Sequence, residues 1–73
     1  MLSIDEINQP YSDPQKQIAY NKLKSYYPNS AVKTLSMEDW FKQIKESQKL
    51  GHLTSGQELF LGIYKLELER QIK

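Results

Sequence analysis

Residues 54–73, TSGQELFLGIYKLELERQIK, decide the fold. The stretch opens on Thr54 and Gln57, the Thr-x-x-Gln spacing of a capping box. There the threonine hydroxyl takes the third helical N–H while the glutamine reaches back to the cap N–H. No proline follows, and apolar residues recur at intervals of three and four. At about 100° per residue, Leu59, Ile63 and Leu66 fall on one stripe. Leu61, Tyr64, Leu68 and Ile72 form a second stripe roughly opposite, and Phe60 bridges the two. Lys65, Glu67, Glu69, Arg70 and Gln71 interrupt this pattern, mostly toward the C-terminal end. The spacing predicts a helix over 54–71 that is apolar nearly all round. Gly62 in its middle costs about 1 kcal/mol relative to alanine, and its presence predicts a close approach by another backbone.

Working outward, Gly51 sits where a residue just past a helix end is expected, and His52 and Leu53 make a tight connection. Before them, Ser36 and Asp39 carry a weaker capping box, and Leu35 can staple against Trp40. Glu38 and Asp39 suit the positive end of the helix dipole. Met37, Trp40, Phe41 and Ile44 give a narrow apolar stripe that Ser47 and Gln48 continue in polar form. This predicts a helix over 36–50. Residues 31–35 read as a loop that dips Val32 and Leu35 into the core.

Pro28 disfavours helical conformation at Tyr27 and ends a helix predicted over 13–27, which starts at a Ser12 or Asp13 cap with Pro14 in its first turn. Tyr20, Leu23 and Tyr27 mark its apolar face, flanked by Ala19 and Tyr26. The adjacent Tyr26 and Tyr27 cannot both point inward, so one is expected at the surface. Further upstream, Ser3 and Glu6 stand as a capping box, with Leu2 and Ile7 as a hydrophobic staple, until Pro10 stops the chain. The reading is an all-α protein. A compact three-helix bundle in residues 12–73 follows a short N-terminal helical turn or arm, 1–11, that docks Leu2, Ile4 and Ile7 on it.

Composition narrows the function. The 73 residues allow one domain with a thin core. There is no cysteine, which excludes disulfides, thiolate metal sites and a cysteine nucleophile. Ten basic against nine acidic side chains give a net charge of +1, without a basic or acidic tail. A dedicated DNA-binding module usually shows a basic stripe. No apolar run approaches the roughly 20 residues that span a bilayer, and the acidic N-terminal segment does not read as a signal peptide. A cytoplasmic location without membrane attachment is expected.

No catalytic constellation stands out. His52 is the single histidine, no cluster has metal-ligand spacing, and no phosphate loop or nucleophile motif occurs. The expectation is no enzyme, no metal and no cofactor. Helix 54–71 carries the one anomaly. Either its neighbours bury it on two sides, or one stripe is left for a partner. The second option points to a small interaction domain, a regulator or inhibitor that docks on a protein or on a second copy of itself. The stripe expected to do so is Leu61, Tyr64, Leu68 and Ile72, whose last residues outrun the other helices. The alternative is a helix-turn-helix-like DNA-binding module, with Lys42, Lys45 and Lys49 on the 36–50 helix against phosphate and Gln57 reading a base. Glu58 would oppose phosphate there, and nucleic acid is the less expected partner.

Overall fold

A computed structural model describes residues 3–71. The chain is all-α, with no strand among the described residues. Helix α1 spans Ile4–Asn8, α2 Asp13–Tyr26, α3 Met37–Lys49 and α4 Ser55–Arg70, and a short 3-10 turn covers Ala31–Lys33. The three longer helices match the predicted ones to within a residue or two at their ends, because the caps that define them are made. Ser12 and Gln15 close a capping box, with the Ser12 N–H donating to Gln15 Oε1 at 2.9 Å. Thr54 and Gln57 close another, at 3.0 Å for the Thr54 N–H and 3.2 Å for the Gln57 N–H. Ser36 accepts from the Asp39 N–H at 3.2 Å. Gly51 follows α3 with φ of 107°, the left-handed conformation for which a side chain would be strained.

Helices α2 and α4 run antiparallel. At one end the Gln71 amide donates to the Gln15 carbonyl at 2.9 Å. At the other the Tyr27 ring packs on Phe60, 5.0 Å between centroids. Helix α3 packs on them through an aromatic cluster centred on Trp40, with Tyr64 at 5.1 Å, Tyr20 at 5.4 Å and Phe41 at 5.7 Å. These tilted and edge-on ring pairs each add on the order of 1 kcal/mol beyond the area they bury.

The remaining pieces are tied to this centre by polar contacts, some buried and some at the surface. The Tyr20 hydroxyl donates to the Val32 and Leu35 carbonyls at 3.1 and 2.7 Å. It thereby holds the loop that buries Val32 and half-buries Leu35. Burial, with the charge of Asp39 adding to it, pushes the Tyr20 phenol up to about 12. Helix α1 buries Ile4 and Ile7 in the common core. Its docking uses the polar end of the α3 stripe, where Gln48 Oε1 accepts from the Ile4 N–H at 3.4 Å and Lys45 pairs with Asp5 at 3.0 Å. Tyr64 adds a hydrogen bond from its hydroxyl to Asn8. The predicted staple partner Leu2 lies outside the described residues.

Candidate docking face on α4

The inward side of α4 is Leu61, Tyr64 and Leu68, at 6%, 0% and 0% exposure. This overturns the stripe expected to dock a partner. Those three side chains are core, and the fourth, Ile72, lies outside the described residues. The physical reason is the aromatic cluster. Tyr64 meets both Trp40 and Phe41 edge-on, and the residues one turn either side of it follow it inward. Burial drives the Tyr64 phenol well above its ordinary range.

The opposite stripe is the one left over. Leu59 and Leu66 are 51% and 56% exposed, and Ile63 between them is half-buried. Gly62 and Arg70 share this outward side and are exposed. Single exposed leucines are ordinary on any protein. What distinguishes this set is that it is contiguous and continues onto α2. A recess of about 230 Å³ joins Ile63 and Leu66 to Tyr26, Tyr27 and Arg70. Tyr26 is half exposed while Tyr27 packs inward on Phe60, so the Tyr-Tyr pair divides between surface and core as its adjacency requires. The predicted close approach at Gly62 is also overturned. A Cβ placed there meets nothing within 4 Å, so no backbone among the described residues explains the glycine.

Beneath the outward ridge lies a charged group that the pattern of the sequence does not single out. Glu67 is 2% exposed, on the flank of α4 that faces α2. Its Oε1 accepts from the Tyr26 hydroxyl at 2.7 Å and from the Arg70 guanidinium at 2.8 Å. The Lys22 ammonium stands 3.8 Å from Oε2, which has no hydrogen bond of its own. The hydrogen bond to this carboxylate holds the Tyr26 phenol above its ordinary range, with burial and the carboxylate charge acting in the same direction. A buried carboxylate held by one phenol and two cations fixes the α2–α4 register from the side, and so fixes Tyr26 beside Leu66. Arg70, three residues on, is the only hint of this in the sequence, as an ordinary helical pair.

On the other flank a second recess, about 370 Å³, has an apolar floor of Ile7, Leu53 and Leu61 and a rim that includes Glu58, Gly62 and Lys65. His52 also lines it but is an exposed turn residue. No group of three or more potential metal ligands occurs among the described residues.

The residues of the DNA-binding alternative are dispersed in their roles. Lys42, Lys45 and Lys49 are exposed on α3, but Lys45 is paired with Asp5. Gln57 is half-buried and spends its side-chain oxygen on the α4 cap. A base-reading role would require that cap to open. Among the described residues, no helix is long and apolar enough to cross a membrane. No protein-family profile, curated protein or solved structure matches this chain.

Proposed function

We propose that this protein is a small, non-catalytic interaction domain that regulates or inhibits a partner by docking through the outward face of α4. The observation that carries the reading is the pair of exposed leucines, Leu59 and Leu66, flanking half-buried Ile63, with exposed Tyr26 alongside. Contiguous apolar surface of this kind marks interaction sites, and tyrosine beside leucine is a common interface composition. The mechanism is burial of an apolar helix face against a partner. The buried Glu67 network supports it from below by holding Tyr26 and Arg70 in place before any partner arrives, which lowers the ordering cost of binding.

Site-specific photo-crosslinking in the native host tests this. A photoreactive residue in place of Leu59 or Leu66 is expected to give a discrete covalent adduct, and one in place of Glu46, exposed on α3, is not. Equal labelling from all three positions, or none from any, would sink the docking face.

A further inference from the structure

The occupant of this face can be read from the helix itself. Leu59 and Leu66 are seven residues apart; lettered as a heptad they take the a positions, and the d positions between and beyond them are Ser55, Gly62 and Glu69, so the apolar ridge rests on the a positions alone. Glu58 and Lys65 then fall at g, and Ile63 and Arg70 at e. The ridge is bordered by the recess over Gly62, whose rim includes Glu58 and Lys65. The same helix face thus carries two exposed leucines and, between them, open ground at the glycine.

We infer that a second copy of this chain covers the face, packing α4 antiparallel against α4 about a two-fold axis beside Gly62 and Ile63. This inference rests on the docking reading above and names its partner. Under that symmetry a residue on one flank meets the same flank of the other copy. With Leu59 level with Leu66 of the second copy, Glu58 comes within about 3 Å along the axis of the level of Lys65 of the second copy. The symmetry repeats the pair, giving two opposite-charge contacts. The parallel alternative sets g against e. It places Lys65 beside Arg70 of the second copy, two cations, and Glu58 beside Ile63. Charge therefore selects the antiparallel arrangement. Gly62 lets the helix axes approach closely at the crossing, as small residues do, and this supplies a reason for a glycine that no neighbour among the described residues explains.

The contact spans only about two to three helical turns, so it belongs with small, transient interfaces. Dimerisation is expected in roughly the micromolar to sub-millimolar range. Sedimentation equilibrium from about 10 µM to about 1 mM should show the mass rising from 8.6 kDa toward twice that value. Leu66→Asp should weaken association at least tenfold while leaving the far-UV helical signal unchanged. Geometry is read by cross-linking, since the chain has no cysteine of its own. A mixture of Leu59→Cys and Leu66→Cys proteins should form a mixed disulfide under mild oxidation, faster than either protein alone. A strict monomer throughout the range overturns the second-copy inference, as does undiminished dimerisation of Leu66→Asp. Preferred disulfides between identical variants overturn the antiparallel arrangement. If photo-crosslinking from Leu59 and Leu66 yields an adduct with a different protein and the purified chain stays monomeric, the docking face stands and the second copy falls.

Discussion

The two sides of α4 are made of nearly the same residues and do opposite things. Leu61, Tyr64 and Leu68 face inward and are sealed, while Leu59 and Leu66 face outward and stand half in water. Hydrophobicity alone does not separate them. What separates them is company. Tyr64 sits at the end of a chain of aromatic contacts through Trp40 to Tyr20, and its hydroxyl finds Asn8 on α1. The outward stripe has Gly62, Glu69 and Arg70 as neighbours. An apolar side chain in a helix is buried by what its neighbours can complete, and a single aromatic with a place for its polar tip outweighs an extra leucine.

The largest effect that tests this contrast is a pair of matched truncations. Leu68→Ala removes a fully buried side chain and should lower unfolding free energy by about 2–5 kcal/mol. Leu66→Ala, two residues away, should change it by less than about 0.5 kcal/mol. Urea unfolding at a protein concentration well below that of association reads both. Similar losses from the two would mean the sides of α4 are not distinct.

A smaller effect comes from pH, because the buried side of the molecule encloses phenols that must stay neutral. Tyr20 is pushed from 10.0 to about 12 by burial and by Asp39. A raised folded-state value means that the folded protein holds this proton more tightly than the unfolded chain does. The resulting stability is fully present below pH 10 and is lost as pH climbs to about 12, about 2–3 kcal/mol over that window. Tyr64 acts in the same direction. Tyr20→Phe should flatten the alkaline fall between pH 10 and 12, at a cost near neutrality from its hydrogen bonds to Val32 and Leu35. Urea midpoints at pH 8, 10 and 11.5 for both proteins check it. An equally steep fall in the Tyr20→Phe protein would assign alkaline unfolding to other groups.

Most of the fold is legible in the sequence because it is written locally. Ser12, Ser36 and Thr54 each announce a helix start through a hydroxyl three residues before an N–H that needs it, and Pro28 and Gly51 announce the stops. The division of Tyr26 from Tyr27 and the inward turn of Val32 are also local matters. The choice between two apolar stripes on α4 is not, since it depends on where Trp40 and Phe41 lie in space. One signal was nonetheless available. Glu58, Lys65 and Glu69 lie together on the flank of the helix wheel between the two stripes, and Gly62 and Arg70 stand nearer the Leu59–Leu66 stripe than the Leu61–Leu68 one, which tips the polar balance slightly away from Tyr64. The second stripe is the longer in sequence, reaching to Ile72, and length favours it when position in space is not known. Glu67 was illegible for another reason. A charged residue at a flank position is exposed by default, and its burial requires Tyr26, Arg70 and Lys22 to converge from two helices.

Gly62 gives the smallest effect and the sharpest comparison. It lies in the interior of α4 with open space where a Cβ would go, so Gly62→Ala should raise the stability of the monomer by about 0.5–1 kcal/mol through helix propensity and reduced freedom of the unfolded chain. The residue weakens its own helix and fits no neighbour among the described residues. If the outward face is where a second copy crosses, the added methyl stands at the crossing and should weaken association even as it strengthens the fold. Urea unfolding at low concentration and sedimentation at high concentration then move in opposite directions for one substitution. Stabilisation with unchanged association would place the crossing elsewhere on α4, and destabilisation of the monomer would mean that the space at Gly62 is not open.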